Sequence, residues 1–240
     1  LQKRLHQQMT LMKFIKNFEK KKEKKHLISH KTRTGKSITQ LLIIKWLIEN
    51  KKKVLFMTSV PSTIKYFIND LEKYVTFKNI EYVKLDGNID GNIDEICINN
   101  NSLTLCSIQF LKNDINGYKK MFLIKQKYDV ILIDECHYGS STKKTKCNII
   151  DIDANTNEII GSSKVSIFSS GTSKKTQQFY KIKDNYVYKW ELYDESQMKL
   201  LHEDNYENEE IIDNMTLRHG DEFKKVISDQ NLNKDYTNMP

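Results

Sequence analysis

The sequence predicts an α/β protein with a mainly parallel β-sheet that has helices on both faces. Short apolar runs of strand length, such as those at 54–58 and 130–133, alternate with helical patterns such as the one at 38–49. Strands that alternate with helices indicate βαβ units, whose crossovers make neighbouring strands parallel. The run at 130–133 is apolar at four successive positions, which is typical of a strand buried on both faces.

The order of the elements follows from the spacing of apolar residues. Steps of three or four residues predict an amphipathic helix over 5–19, with its apolar positions at Leu5, Met9, Met12, Ile15 and Phe18. Further helices are predicted at 38–49, 62–74 and 222–228. Strands are predicted at 26–29, 54–58, 81–85, 103–108, 128–133 and 164–169. After about residue 205 the pattern loosens into acidic and polar residues, which indicates a connector.

The composition is that of an ordinary globular chain. With 38% hydrophobic and 29% charged residues among 240, the chain can bury a sizeable core, in one α/β domain with additions or in two small domains. The apolar run at 41–44 stops at Lys45, far short of a membrane span, and no signal-peptide pattern opens the sequence. Four cysteines without a C-x-x-C pair indicate reduced thiols. We therefore expect an intracellular, soluble protein with no membrane partner.

The charge is strongly basic and comes almost entirely from lysine. The net charge is +8, and arginine occurs only at positions 4, 33 and 218. A basic balance favours a polyanionic partner such as a nucleic acid, but it does not prove one. Heavy use of lysine, asparagine and isoleucine also fits a general compositional bias.

A candidate phosphate-binding loop lies between the predicted strand at 26–29 and the helix at 38–49. Backbone N–H groups that converge at a helix N-terminus bind phosphates well, and the loop Thr32-Arg33-Thr34-Gly35-Lys36-Ser37 has that context. We expect Lys36 to reach the β- and γ-phosphates and the Ser37 hydroxyl to hold Mg²⁺. The full P-loop spacing requires a glycine where this chain has His30, so an ordinary strand–turn–helix remains the alternative.

Two adjacent carboxylates follow the buried strand about a hundred residues downstream. Asp134 and Glu135 stand at its C-terminal end, where open α/β sheets bind ligands. Asp134 is suited to hold Mg²⁺ through water, and Glu135 to polarise an attacking water. The alternative is a solvated strand end, but the upstream loop favours a nucleotide site. We expect Lys36 and this acidic pair to meet around one magnesium–triphosphate at neighbouring strand tips.

Three motifs in order resemble those of superfamily two helicases. The segment Asp134-Glu135-Cys136-His137 is similar to their DExH box, and residues 31–37 look like their motif I. The segment Ser169-Ser170-Gly171-Thr172-Ser173 resembles motif III, which couples hydrolysis to nucleic-acid handling, although Ser173 replaces the usual proline. The resemblance covers roughly residues 5–205 and implies a RecA-like P-loop NTPase domain. By the same resemblance, His137 links the hydrolysis site to Ser170, Gly171 and Thr172.

Weaker similarities add candidate contacts. The segment Arg4-Leu5-His6-Gln7 resembles the adenine-reading element of relatives of the type III restriction motor subunits, which makes Gln7 the candidate residue. Pro61 and Ser62 fall where motif Ia contacts the phosphate backbone. Ser107 and Gln109 lie in a segment similar to T-x-Q-x-L, another backbone-contact region. Plain helix capping, or a polar position on an amphipathic helix, is the alternative for each of them.

The similarity implies a second lobe that this chain does not show. A complete motor has two RecA-like lobes, and the second supplies arginines to the γ-phosphate. Arg218 lacks the spacing of that motif, and the chain begins with Leu and ends in Met-Pro, so we expect a fragment of a longer protein. The expected parts are a helix in 1–25, a RecA-like ATP-binding domain at 26–205, and a connector at 206–240. That connector would lead to the second lobe of the same polypeptide.

The sequence as a whole favours the ATP-binding lobe of an ATP-dependent nucleic-acid helicase or translocase, with ATP and Mg²⁺ as cofactors and DNA more expected than RNA. A P-loop kinase is the alternative in another enzyme class, but the chain shows neither an acceptor pocket nor lid arginines. A non-catalytic nucleic-acid-binding module that keeps the fold is a further alternative, as is the motor subunit of a restriction system.

Overall fold

A computed structural model shows one seven-stranded sheet. It describes residues 4–20, 22–31, 33–85, 98, 102–107, 110, 118–134 and 165–229. The strands are β1 (Lys25–His30), β2 (Val54–Thr58), β3 (Tyr82–Leu85), β4 (Leu103–Ser107), β5 (Val130–Asp134), β6 (Val165–Ser169) and β7 (Val187–Trp190). Their order across the sheet is β3-β4-β2-β5-β6-β1-β7. Every adjacent pair runs parallel.

The helices follow the strands in the alternating order that the sequence predicts. They are α1 (Leu5–Glu19), α2 (Lys36–Glu49), α3 (Pro61–Lys73), α4 (Tyr118–Lys125), α5 (Ser173–Tyr180), α6 (Leu192–Glu203), α7 (Glu209–His219) and α8 (Asp221–Ile227). Short 3₁₀ turns occupy Val75–Phe77 and Asp184–Tyr186. No helix within the described residues combines the length and apolar character needed to cross a membrane.

Successive side chains of a strand point to opposite sides of the sheet. Both sets are apolar here, and helices pack against each face. Val54 and Phe56 of β2 belong to a core shared with α1, α2 and α3. Leu55 and Met57 belong to a second core, which includes Leu123 of α4 and side chains of the α5 segment. The predicted fold class, a parallel sheet with helices on both faces, is confirmed.

The predicted strands are all present, with their ends shifted by one or two residues. The largest shift is at β5, which begins at Val130 rather than at Tyr128. The Asp129 side chain accepts a hydrogen bond from the Lys53 backbone N–H at 3.1 Å, and this contact lies just before the strand begins. The predicted strand at 103–108 ends at Ser107 in the structure, and residue 108 lies outside the described residues.

The segment after residue 205 is more ordered than its polar composition suggests. It forms α7 and α8, whose apolar side chains join those of α1, β7 and α6 in a third core. The expectation of a loose pattern followed by one helix was therefore wrong for 209–219. That helix buries only Ile211, Met215 and His219, a stripe too sparse to stand out among acidic neighbours. Whether 206–240 leads to a second lobe stays a prediction.

Candidate nucleotide-binding site

Polar residues line the carboxyl edge of the sheet at one level. The strand register pairs Ser107 with Thr58, Thr58 with Asp134, and Asp134 with Ser169. Ser169 in turn pairs with Ile28 of β1, two residues before that strand ends at His30. The ends of five adjacent strands therefore meet at the edge where open α/β sheets bind ligands.

The loop between β1 and α2 ends in a glycine that no other residue replaces easily. Gly35 has a φ of 80°, and a Cβ built there would lie 2.7 Å from Nε2 of Gln7. It is the N-cap of α2 and offers no capping side chain, so the first N–H groups of the helix, beginning at Lys36 and Ser37, have no side-chain cap from this position. The Thr34 hydroxyl donates to the Lys31 carbonyl at 2.8 Å and closes the loop. This helix end has the geometry of an anion site.

Lys36 and Asp134 meet at this edge, although the chain separates them by almost one hundred residues. Lys36 Nζ lies 3.5 Å from Asp134 Oδ1, and the two side chains are only 12% and 5% exposed. The strand that leads into the Lys36 loop, β1, is not a neighbour of β5, which ends in Asp134, because β6 lies between them. The expectation of neighbouring strand tips was wrong in that detail. The contact spans β6 because Lys36 stands on the first turn of α2 rather than on β1 itself.

Gln40 is a residue of the site that the sequence analysis missed. Its Nε2 lies 2.6 Å from Asp134 Oδ1 and 2.7 Å from Ser169 Oγ, and the residue is 1% exposed. A signal was present in the sequence, because position i+4 from Lys36 lies on the same face of a helix. The identity of its partners depends on the order of the strands, which no local pattern shows.

His30, which stands where the full motif requires glycine, is completely buried beneath the loop. Its Nε2 lies 3.1 Å from the Thr10 hydroxyl and its Nδ1 lies 3.4 Å from that of Thr39. Burial holds the pKa of His30 well below its usual value, so the ring is neutral at physiological pH. The substitution thus fills the space between α1 and α2 with a hydrogen-bonded ring.

Gln7 also lies against the loop. Its Nε2 donates to the Gly35 carbonyl at 3.4 Å, and its Oε1 accepts from the Arg4 backbone N–H at 3.0 Å. The residue is 3% exposed. Gln7 therefore joins the start of α1 to the residue that opens α2.

The motif III segment follows β6 directly. The Ser170 N–H donates to the Ile28 carbonyl at 3.0 Å, and the Ser170 hydroxyl accepts from the Thr172 N–H at 3.1 Å. These bonds hold the backbone of 170–172 beside β1, with Gly171 between the two bonded residues. Ser173, which replaces the usual proline, is the first residue of α5, a position that proline tolerates well.

The candidate nucleic-acid contacts occupy different environments. Pro61 and Ser62 are the first two residues of α3 and are exposed. Ser107 ends β4 and is 6% exposed. Gln109 lies outside the described residues, as do Thr32, Glu135 and His137, so the roles assigned to these four remain predictions.

Arg218 pairs with acidic side chains of the C-terminal helices. Arg218 Nε lies 2.9 Å from Asp194 and its Nη2 lies 3.1 Å from Glu191, which ties the guanidinium to α6. The aromatic side chains of Trp190 and Tyr188 on β7 are buried. In the part of the chain that the structure describes, no group of three or more histidine, cysteine or acidic residues is placed to hold a metal ion.

Three solved structures match parts of this chain. The SWI2/SNF2 ATPase core of Sulfolobus solfataricus in complex with double-stranded DNA has a TM-score of 0.52 at 14% identity, over 71% of this chain and 32% of that one. The SWI2/SNF2 ATPase core domain from the same organism has a TM-score of 0.51 at 14% identity, over 74% and 33%. The UvsW helicase of bacteriophage T4 has a TM-score of 0.48 at 16% identity, over 70% and 55%. The chain spans about a third of the two Sulfolobus structures.

The fold defines the class of protein as a RecA-like α/β domain, the fold of the SWI2/SNF2 ATPase cores. The family described as "Type III restriction enzyme, res subunit" matches residues 1–167, a range that includes Gly35, Lys36 and Asp134. The chain belongs to this family. No curated protein matches the sequence.

Proposed function

We propose that this chain is the ATP-binding lobe of a nucleic-acid helicase or translocase that couples ATP hydrolysis to movement along a phosphate backbone. The observation that carries the proposal is the contact of Lys36 with Asp134, 3.5 Å apart, at the start of α2, whose N-cap Gly35 has no capping side chain. A buried cation, a carboxylate and a helix N-terminus at one sheet edge are the groups that a magnesium-bound triphosphate requires.

The donor set fits ATP with Mg²⁺. Lys36 and the N–H groups of the loop would hold the phosphates, with Thr32, Arg33 and Thr34 forming the loop wall before Gly35. Magnesium prefers oxygen ligands, and the Ser37 hydroxyl and Asp134 carboxylate supply them, Asp134 through water. When bound, Mg²⁺ would neutralise the negative charge of the phosphates. The ion pair of Lys36 with Asp134 keeps both charges compensated inside a site with little exposure to water.

Gln7 is the residue that we assign to the adenine ring. One proton of its amide lies toward Gly35, and its oxygen accepts from Arg4. The second amide proton is the group that we assign to a ring nitrogen of the base. This position beside Gly35 connects base recognition to the phosphate loop.

The hydrolytic step belongs to residues after β5. We assign to Glu135 the orientation and polarisation of the attacking water. His137 would link the hydrolysis site to the motif III residues, which follow the adjacent strand β6. These residues are Ser170, Gly171 and Thr172. The parallel register of β5 with β6 supports this route, since it sets Asp134 directly beside Ser169.

The nucleic-acid surface would lie along the same sheet edge. Pro61 and Ser62 expose the start of α3, and an exposed helix N-terminus suits a phosphate. Ser107 ends β4, the strand beside β2 in the sheet, and Gln109 lies two residues further along the chain. DNA is preferred over RNA because a solved structure of this fold is described in complex with double-stranded DNA.

A second RecA-like lobe would complete the catalytic site. The two Sulfolobus structures are about three times as long as the part that this chain covers. In motors of this kind an arginine at the γ-phosphate contributes roughly 10³–10⁵ in rate. Arg218 is paired with Asp194 and Glu191 and does not supply that group. The chain alone should therefore bind ATP and hydrolyse it very slowly.

One observation favours a second candidate function, a nucleic-acid-binding module that no longer hydrolyses ATP. His30 fills the first glycine position of the loop motif. Its ring is buried beneath the loop, however, and leaves the start of α2 uncapped. The family match also keeps open a specific role as the motor subunit of a restriction system.

The decisive experiment measures binding of a fluorescent ATP analogue to Lys36→Ala and Asp134→Asn. We expect Lys36→Ala to lose at least roughly tenfold in affinity, because it removes the charged phosphate contact. Asp134→Asn should weaken only the part of the ATP-analogue binding that depends on Mg²⁺. Lys45→Ala is the matched control, since Lys45 lies on the same helix and pairs with Glu49 at the surface.

The same proposal predicts the behaviour of the full-length protein. Lys36→Ala and Glu135→Gln should each abolish its ATPase activity. The activity is measured with single-stranded DNA, duplex DNA and RNA in turn. ATPase activity that survives both substitutions would refute the mechanism. Rapid DNA-stimulated hydrolysis by this chain alone would refute the need for a second lobe.

A further inference from the structure

Two residues of α2, one helical turn apart, reach the same carboxylate oxygen. Lys36 Nζ lies 3.5 Å from Asp134 Oδ1 and Gln40 Nε2 lies 2.6 Å from it. Gln40 also contacts the Ser169 hydroxyl at 2.7 Å. A single buried amide thus joins the helix after the phosphate loop, the strand that ends in Asp134, and the strand that leads into 170–172.

The chemistry of the three groups fixes the orientation of the amide. An ionised carboxylate only accepts hydrogen bonds, so the group that faces Asp134 must be the NH₂ of Gln40 rather than its oxygen. An NH₂ has two protons, one for the carboxylate and one for the Ser169 oxygen. Both distances are short for N–H···O bonds, and Gln40 is 1% exposed. A buried amide with both protons committed holds its partners firmly.

The surroundings of Gln40 argue against a merely incidental contact. The buried positions that follow on α2 are apolar, namely Leu41, Leu42, Ile43 and Ile44. A buried amide costs free energy unless it is hydrogen-bonded, so an apolar residue would serve packing alone better. What an apolar residue cannot do is donate to Asp134.

We propose that Gln40 is a positioning residue that holds Asp134 for magnesium and links it to the segment after β6. By fixing Oδ1, the amide would hold the Asp134 carboxylate in one orientation for Mg²⁺. By holding Ser169, it makes the position of Asp134 depend on the backbone of 170–172. This inference rests on the proposed function, because it assumes that Asp134 serves Mg²⁺.

The test uses Gln40→Met, which keeps an unbranched side chain of similar length and removes both donors. Binding of ATP is measured by titration at increasing Mg²⁺ and again with a chelator present. We expect the Mg²⁺ concentration for half-maximal binding to rise roughly tenfold or more, which is the usual effect of losing an outer-shell contact. Binding without Mg²⁺ should stay within about twofold of wild type, because the loop itself is unchanged.

Ile44→Val is the matched control for a purely structural effect. Ile44 is buried on α2 one turn beyond Gln40, and its shortening loosens packing without touching Asp134. The control should leave the Mg²⁺ requirement unchanged. If Gln40→Met does not fold, as judged by thermal unfolding, Gln40→Glu keeps the shape while replacing the donor by an acceptor. It should raise the same requirement.

A double substitution tests the link to β6 separately. If Ser169 acts on Asp134 through Gln40, then Ser169→Ala raises the Mg²⁺ requirement in the wild-type background and has no further effect in Gln40→Met. If Ser169→Ala raises the Mg²⁺ requirement by the same factor in both backgrounds, the proposed link between Ser169 and Asp134 through Gln40 is overturned. A wild-type Mg²⁺ requirement in both Gln40 variants, with intact wild-type binding, would overturn the positioning role alone. Absence of magnesium-dependent ATP binding by the wild-type protein would instead overturn the proposed function.

Discussion

His6 Nε2 lies 2.7 Å from the carbonyl oxygen of Thr34, so helix α1 supports the phosphate loop through a side chain that no motif assigns to nucleotide. A carbonyl oxygen only accepts, so Nε2 bears the proton. The ring stacks on Trp190 at 5.0 Å between centroids. The Trp190 carbonyl in turn accepts from the N–H of Lys31, the first residue of the loop. Both ends of the loop are therefore joined to the core formed by β7 and the C-terminal helices.

His6→Phe should weaken ATP binding while preserving the stack on Trp190. The substitution removes the donor to Thr34, and a net hydrogen bond is worth about 1 kcal/mol, or roughly fivefold in affinity. Titration with a fluorescent ATP analogue measures the change. Met9→Leu, a volume-conserving change on the buried side of α1, is the control and should bind as wild type. Equal affinities for His6→Phe and wild type would show that ATP binding does not depend on the contact of His6 with Thr34.

Gly35→Ala should damage both stability and binding. The φ of 80° strains any side chain, at a cost of about 1–2 kcal/mol, and the added Cβ would meet Gln7 Nε2 at 2.7 Å. Denaturant unfolding measures the loss of stability, and ATP titration measures the loss of affinity. Adding Gln7→Ala removes the close contact but not the backbone strain, so the double variant should recover only part of the stability. Complete recovery of stability would mean that the close contact with Gln7, and not backbone strain, causes the whole loss.

The sequence was sufficient to predict six of the seven strands of the sheet, all but β7, and to predict that Lys36 and Asp134 lie at one edge. Buried parallel strands are continuous apolar runs, and the carboxyl ends of such strands meet at one edge, so Lys36 and Asp134 were expected to lie together. The order of the strands was not predictable from local patterns. That order places β6 between β1 and β5 and thereby determines which residues surround Asp134.

Gln40 and α7 show the two ways in which local sequence was insufficient. Gln40 is one polar residue in an apolar helix, and its partners are 94 and 129 residues away in the chain. Helix α7 has recognisable ends, since the Asn208 side chain accepts from the Ile211 N–H and Gly220 follows the last residue. Its few buried side chains can be recognised as a core face only once the packing of α1 and α6 against them is known.

Asp194→Asn should destabilise the C-terminal core. The carboxylate is fully buried and accepts from His219 Nε2 at 3.0 Å and from Arg218 Nε at 2.9 Å. Burial alone would raise the pKa of Asp194, but the hydrogen bonds from His219, the Glu191 backbone and Arg218 outweigh it and hold the pKa below its usual value. Losing a buried charge pair costs about 3 kcal/mol, measurable as a lower urea midpoint.

Asp213→Asn is the control for that experiment, because Asp213 pairs with Lys224 at the surface. It should change the free energy of unfolding by less than about 1 kcal/mol. A similar small effect for Asp194→Asn would mean that the core formed by α6, α7 and α8 does not depend on this carboxylate.

Mild acid should unfold the protein through its buried histidines. Burial lowers the pKa of His6 to about 3 and that of His26 to about 4, and holds that of His30 well below the usual 6.5. Below pH 6.5 the unfolded chain therefore binds protons that the folded chain does not. Stability is complete above that pH and is lost as pH falls toward the folded values, by up to about 1.4 kcal/mol per pH unit for each histidine.

Urea unfolding at about pH 7.5 and at about pH 5 measures this loss, with the steepest change expected below the ordinary histidine pKa. His6→Phe supplies the internal comparison, because it removes one of the three titrating rings. Its free energy of unfolding should fall less steeply between the two pH values than that of wild type, even if it is lower at the higher pH. Identical slopes would mean that His6 takes up its proton equally in the folded and unfolded chains, which contradicts a pKa lowered by burial against Trp190. The slope thus tests, without any nucleotide, the contact that holds the loop at Thr34.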